Sequence, residues 1–310
     1  MGRMCLLALI LHLFLAENGV SAHRLFVDEV GRRVMVPEHP SRIISLSPSI
    51  TEILFSLGLE EQIVGVSNHS DFPSQALAKP RVGSYINPSV ERTISLNPDL
   101  IVATAAGNPR EFVERMESLG LSVYTVFPKD FDGILRSISH IATVTGREYR
   151  GTRVVREMRQ RKERILQLTH GRSKPRVFFQ IGKEPIVTVG NGSFADDLIS
   201  LAGGQNIAGA ESTKYPRYSI EEILVKAPDV IIITSMNPGA NSQELAQQWN
   251  RWNTIPAVRG GRVFVIDSDL VDLPSPRIID GLEAIAGILH PEINGMLRTP
   301  GAGSNLPHDR

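Results

Sequence analysis

The sequence predicts an α/β fold: two similar lobes, each with a mainly parallel sheet, joined by one long rigid helix. Three observations predict it. Short apolar strands alternate with amphipathic helices along most of the chain, the pattern of βα units. Residues 89–104 are echoed without a gap by residues 219–234. Between the echoing halves runs a charged stretch, Arg147 to Thr169, whose Val154, Val155, Met158, Ile165 and Leu168 form one apolar stripe.

The elements follow in order. Leu25 to Pro37 holds two runs of β-formers around a turn at Gly31, which predicts a hairpin. Arg42 to Leu46 (RIISL) reads as a buried strand broken by Ser47, Pro48 and Ser49, and Thr51 to Leu57 as a helix stopped at Gly58. Ile63–Ser67, Leu100–Thr104 and Ser122–Val126 continue as strands, with helices over Ser89–Asn97 and Arg110–Leu119 between them. The long segment 147–169 would span about 30 Å at 1.5 Å per residue, enough to brace two small domains. The expected units are therefore 1–22, an export signal; 23–40, an N-terminal hairpin; 41–146, the N-terminal lobe; 147–171, the connecting helix; 172–292, the C-terminal lobe; and 293–310, a disordered tail.

The echo is chemically specific. SVERTISLNPDLIVAT, from Ser89 to Thr104, aligns with SIEEILVKAPDVIIIT, from Ser219 to Thr234. Arg42 and its two isoleucines echo Arg176-Val177-Phe178, and Ile63 to Gly65 echoes Ile207 to Gly209. Two similarly built lobes with a cleft between them are the simplest reading. Glu91 and Glu221 occupy the same place in the two halves, two residues after a serine at a helix start. Such acids either complement the helix dipole or present one carboxylate per lobe to a basic partner.

Composition narrows the function. Lys and Arg (33) balance Asp and Glu (33), which gives no electrostatic case for nucleic acid. Residues 1–22 read as a signal peptide: Arg3, an apolar run from Cys5 to Ala16, and Val20-Ser21-Ala22 before a cut after Ala22. The single cysteine, Cys5, lies inside that run, so the mature chain would lack disulfides, thiol nucleophiles and Cys-based zinc sites. GxSxG and GxxxxGK are both absent, and the glycines at 203, 204 and 209 follow a helix where a dinucleotide site needs a strand. The histidines are scattered without metal-ligand spacing. An exported hydrolase using Asp71 and Asp269, and a zinc or manganese binder, stay open as rivals.

Several motifs are recognisable together: RIISLSPSITE from Arg42 to Glu52, VGVSNHSDFP from Val64 to Pro73, VER at 90–92, RVFFQ at 176–180, GGQNI at 203–207 and SPRI at 275–278. They resemble the cobalamin and iron-complex (siderophore, haem) class of periplasmic binding proteins of ABC importers, and look most like its cobalamin-binding members. The resemblance runs from Arg42 to about Pro291. It implies the helical-backbone binding-protein fold, no catalysis, no intrinsic cofactor and a periplasmic location. It implies a transported corrinoid, of the cobalamin type, held in the cleft of a monomer, with haem or a ferric siderophore as the alternative cargo. The partner would be a permease dimer with its ATPase subunits, docked by Glu91 and Glu221. Matching ligand positions are His69, Tyr85, Tyr215 and the loop Asp269, Leu270, Val271, Asp272 and Leu273. Helix starts at Pro48, Ser49 and Pro276 would add backbone donors. His69 and Leu270 stand where the cobalamin binder has aromatics, and Ala202 and Ala286 where it has a disulfide. His69 is either an axial ligand of bound cobalt or iron, or a loop histidine hydrogen-bonded locally.

Overall fold

In the computed structural model, residues 22–235 and 242–297 are described; apart from Ala22, the expected signal segment lies outside them. β1 (His23–Val27) and β2 (Arg33–Pro37) pair antiparallel as a hairpin. Buried Asp28 pins its turn by accepting from the Val30 and Arg32 amides and pairing with the Arg32 guanidinium.

The N-terminal lobe is a four-stranded parallel sheet in the order β4–β3–β7–β8, from β3 (Ile43–Ser45), β4 (Ile63–Val66), β7 (Leu100–Thr104) and β8 (Val123–Val126). A two-residue pair, β5 (Gly83–Ser84) with β6 (Asn87–Pro88), stands at its edge. Helices α1 (Pro48–Ser56), α2 (Val90–Ser95), α3 (Arg110–Ser118) and α4 (Phe131–Val144) cover it. The α1 helix begins earlier than the sequence suggests. Ser47 is its N-cap, accepting from the Ile50 amide, so Ser47-Pro48-Ser49 is a helix entry and no mere strand break. Helix α4 is unexpected, although Asp130 is a legible N-cap and Phe131, Ile134, Leu135, Ile138 and Ile141 follow at helical spacing.

Helix α5 (Glu148–Thr169) leads to the second lobe. There β9 (Arg176–Gly182), β10 (Val187–Thr188), β11 (Gln205–Asn206), β12 (Val230–Ser235) and β13 (Val263–Asp267) form a five-stranded sheet around β10–β9–β12–β13. All its pairings are parallel except the β9–β10 hairpin. Helices α6 (Phe194–Leu201), α7 (Ile220–Lys226), α8 (Ser242–Gln247), α9 (Pro256–Arg259), α10 (Ile278–Leu289) and α11 (Asn294–Leu297) complete it. Two expectations are corrected here. The short echo is inexact: Ile63 to Gly65 lies within β4, parallel to β3, whereas Ile207 to Gly209 is a turn following β11, which lies parallel to β9 and to which the Ile207 amide adds one bond, onto the Val177 carbonyl. The tail does not begin at residue 293: Ile293 is fully buried and Leu297 nearly so, and both join the core because they are apolar and face α10.

The long echo is a real structural repeat. Asp99 accepts from the Ser41 and Arg42 amides, while the Arg42 guanidinium donates to the Leu96 and Asn97 carbonyls. In the second lobe Asp229 accepts from the Arg176 amide, and Arg176 donates to the Lys226 and Ala227 carbonyls. Asn97 and Ala227 both take left-handed backbone, at φ 45° and 43°. One core runs through both lobes, from β3 and α1 across α4 and α5 to α10. Helix α5 is clamped at both sides: Arg161 forks onto Asp280 and Glu283 of α10, and Lys162 reaches Asp132 of α4 at 2.7 Å. Asp197 of α6 also accepts from the Phe131 amide, so the second lobe caps a helix of the first. A brace with this many cross-ties limits lobe rotation.

Candidate functional site

The lobes meet at a clasp. Glu52, on the first turns of α1, receives the Arg277 guanidinium through Nε at 3.0 Å and Nη2 at 2.5 Å. Both side chains are largely buried, 4% and 15% exposed. Burial raises the Glu52 pKa, and Arg277 only partly offsets that rise. Burial also opposes charge on Arg277, but the hydrogen bonds and field of Glu52 win and hold its pKa up. The guanidinium lies 4.0 Å from the centre of the Phe72 ring, a cation–π contact with the first lobe. The acid of the SPxxTE element and the arginine of SPRI thus form one bidentate pair between lobes. Glu52 is absent from the predicted site residues; its signal was a carboxylate on the otherwise buried face of an apolar helix.

The N-terminal wall is held by hydroxyls. Ser45 bonds Thr51 at 2.8 Å, Thr51 donates to Ser70 at 3.0 Å, Ser67 bonds Ser70 at 2.9 Å and Ser47 bonds Ser49 at 2.9 Å, all buried. This corrects the reading of Pro48 as a backbone donor, while the Ser49 hydroxyl is held within the wall. Ser49 is buried with its hydroxyl engaged, proline has no N–H, and the Ile50 amide is capped by Ser47. Pro276 fails for the same reason, and α10 starts only at Ile278. What the network does is fix the loop after β4. There His69 adopts φ 64°, an uncommon conformation for a side chain with a Cβ, and stands exposed. The neighbouring Asn68 amide donates to the Gly83 carbonyl, which brings that loop beside Tyr85. Tyr85 is 41% exposed and its ring packs against Gly107, where any Cβ would collide with it. Asn108 fixes the Tyr85 carbonyl at 2.7 Å.

The C-terminal wall is acidic. A short 3₁₀ turn, Ser268–Leu270, packs its backbone so tightly on α10 that a Cβ at Gly281 would strike the Leu270 carbonyl. Val271 is consequently fully buried and belongs to the core, which removes it from the ligand-binding set. Leu270 and Leu273 are half-buried, while Asp269 and Asp272 reach solvent. Asp269 lies 3.8 Å from Arg277. Its pKa is raised by partial desolvation, then by Asp267 and by Asp71 across the cleft. Asp71 itself pairs with Arg81 at 3.1 Å. Asp272 is exposed, yet partial desolvation of its carboxylate, with the field of Asp269, pushes its pKa up to about 6. Tyr215, 56% exposed, feels Asp272 in turn. Asp71, Asp269, Asp272 and Tyr215 thus feel one another's fields across the clasp, and His69 and Tyr85 stand exposed on the loops next to Asp71. A separate concavity of about 380 Å³ on the second lobe, walled by Trp249, Trp252 and Pro185, includes none of them.

Glu91 and Glu221 lie elsewhere, both exposed in the first turns of α2 and α7. Ser89 and Ser219 cap the two helices alike. The Glu91 pKa is lowered by its own backbone amide and the Ser89 hydroxyl. Ala202 and Ala286 are fully buried apolar core residues. Among the described residues no cluster of three or more His, Cys, Asp or Glu could hold a metal ion, and no helix is long and apolar enough to cross a membrane.

A family model described as "Periplasmic binding protein" matches residues 43–270. The vitamin B12-binding protein of Vibrio cholerae serotype O1 is 34% identical over 255 residues, covering 82% of this chain and 90% of that one. A crystal structure of the periplasmic vitamin B12 binding protein BtuF of Vibrio cholerae superposes with a TM-score of 0.72 at 32% identity, covering 81% of this chain and 96% of that one. An uncharacterized ABC transporter substrate-binding lipoprotein of Bacillus subtilis, YvrC, is 29% identical, with 86% and 85% covered. The periplasmic heme-binding protein RhuT of Roseiflexus sp. RS-1 in apo form gives a TM-score of 0.73 at 25% identity, with 81% and 98% covered. Two braced α/β lobes, a clasped cleft between them and a family match over most of the sequence lead to one conclusion: the chain belongs to the periplasmic binding protein family, whose members bind solutes and are not enzymes.

Proposed function

We propose that this chain captures a corrinoid of the cobalamin type between its lobes and delivers it to an ABC importer. The observation that supports the reading is an exposed tyrosine on each of two braced lobes, Tyr85 on the first and Tyr215 on the second. A large flat ligand would bury its faces on these rings, on Leu270 and on Leu273, and His69 stands where an imidazole could reach the ligand's metal. Little ordering is needed on binding, because α5 and the Glu52–Arg277 pair hold the lobes in place beforehand. The likeness to vitamin B12-binding proteins supports the choice of ligand.

Delivery rests on Glu91 and Glu221, which a permease dimer with two basic patches would engage together, setting register more than affinity. The protein is a monomer exported by its first 22 residues and cut after Ala22. Calorimetric titration with cobalamin, cobinamide, haem and a ferric siderophore tests the ligand. Tight binding of a corrinoid supports the reading; tight binding of haem alone replaces it with the haem reading that exposed His69 favours. Exchanging both Glu91 and Glu221 for Lys should abolish uptake in reconstituted vesicles while leaving the titration unchanged.

A further inference from the structure

The concavity of about 380 Å³ on the second lobe lies apart from the cleft groups and next to an acid that the docking reading assigns to the importer. Its floor is fixed. Trp249 is 5% exposed, its indole N–H donates to the Gln180 side-chain carbonyl at 3.0 Å, and its ring meets Phe178 edge-on at 5.6 Å between centres. The walls are apolar and partly exposed: Trp252, Pro185, Ile186 and Ile220. Ile220 is the first residue of α7 and directly precedes Glu221, so the depression borders the helix turn that carries the carboxylate. Val225, one turn further on the same face as Glu221, is 85% exposed, whereas the equivalent place on α2 holds Ser95. At that place α7 is apolar where α2 is polar. At the lower end of the roughly 300–1,000 Å³ that small-molecule sites span, the concavity has room for one or two side chains and none for a corrinoid.

We propose that this concavity is a second-lobe anchor for the permease: an apolar side chain on the permease segment that pairs with Glu221 inserts against Trp252, Pro185 and Ile220. The proposal rests on the docking reading above, since Glu221 is what names the occupant. A carboxylate on an exposed helix turn gives encounter and register but little affinity, because water screens it. Affinity in such a contact comes from a few desolvated anchors, tryptophan foremost, seated in a packed depression and ringed by polar groups. Here Lys183, Gln248 and Arg251 supply the ring, with the Arg251 guanidinium 5.3 Å from the centre of the Trp252 ring. Because the Gln180 bond and the Phe178 contact hold Trp249 in place, an entering side chain has little to reorder. The second lobe therefore holds the permease harder than the first.

Trp249 and Trp252 are the chain's only two tryptophans, and both line the concavity. 5-Hydroxytryptophan placed at them can be excited to the red of the importer's own tryptophans. Adding the importer, reconstituted in nanodiscs, to the full mature protein should shield this label from acrylamide quenching. Two variants then test the anchor, with melting curves to verify folding: Trp252→Ala strips a wall, and Gln248→Phe fills the space from within. Each should weaken binding to the reconstituted importer about thirtyfold, the scale of one hot-spot side chain. Glu221→Lys should cost more binding than Glu91→Lys. Should Trp252→Ala fail to fold, Gln248→Phe decides. Full-strength binding by the folded concavity variants, while Glu91→Lys/Glu221→Lys releases the importer, overturns the anchor and leaves the docking reading standing. If the charge-reversed double variant binds as wild type does, the docking reading falls and the anchor with it. Shielding that appears on concentrating the protein without importer assigns the concavity to a second copy and also overturns the proposal.

Discussion

In the N-terminal lobe Asp99 accepts three bonds, from the Ser41 amide and hydroxyl and the Arg42 amide; in the C-terminal lobe Asp229 accepts two, from the Arg176 amide and, at 3.4 Å, its Nε. Both turns end in a left-handed residue, but one spends an asparagine there and the other an alanine. The backbone device is shared, and the second copy is the less well fitted. The cleft walls diverge further: buried hydroxyls and a tyrosine face exposed acids and a tyrosine. Duplicated halves can keep one framework while their facing surfaces diverge, because the framework's bonds lie at the sheet ends and the surfaces lie on loops.

The contact joining the two walls is where the comparison breaks most visibly. Arg277→Ala leaves the buried Glu52 without its charge partner, with only the Ser275 hydroxyl still bonded to it, and should cost about 3–5 kcal/mol in denaturant unfolding. The double change Glu52→Gln/Arg277→Gln should recover part of that loss, since no unpaired charge then remains. A loss no larger than that of an exposed pair would show that the lobes hold together without the clasp.

The acidic wall should behave oppositely to a salt-bridged one. Because the Asp272 pKa rises from 3.8 to about 6 in the folded state, the native protein binds the proton more tightly than the unfolded chain does. Its contribution to stability is therefore greatest below 3.8 and falls as pH climbs through about 6. Asp272→Asn should flatten that fall and raise the melting temperature at pH 7. The gain is smaller than the clasp effect, because Asp272 is exposed and water screens its charge.

The two sheet anchors can be compared directly. Asp99→Ala should cost about 1–2 kcal/mol and Asp229→Ala somewhat less, following their numbers of accepted bonds. Equal losses would mean that the extra bonds of Asp99 are matched by water in the unfolded chain. The smallest expected effect belongs to Ala227→Asn, which should stabilise by about 0.5 kcal/mol by placing a residue tolerant of left-handed backbone where its counterpart already has one.

Much of this framework is legible in the sequence. The serine, acid, proline and aspartate of the long echo recur at fixed offsets because each supports a local backbone event: a cap, a helix start, a stop or an anchor. Helix α4 was equally legible, since Asp130 and the spacing of Phe131 to Ile141 meet the same rules. The short echo of Ile63 and Ile207 marks equivalent places beside β3 and β9 but not the strand ends, because three apolar-rich residues carry no period. At the site, exposed Tyr85, Tyr215 and His69 follow from motif matching, but Val271 does not separate from Asp272 by any rule of sequence. Only the close approach of the turn to Gly281 sends one inward and leaves the other out.

By itself the sequence determined the elements, their duplication and the brace, since these depend on local periodicity, caps and turns. Only the tertiary structure decided that Glu52 and Arg277, 225 positions apart, would meet, and that doing so would leave Asp269 and Asp272 under-neutralised. The physical reason is that charge is balanced in space: the Arg277 guanidinium is oriented by its two bonds to Glu52, which leaves it 3.8 Å from Asp269, whatever the order of these residues along the chain.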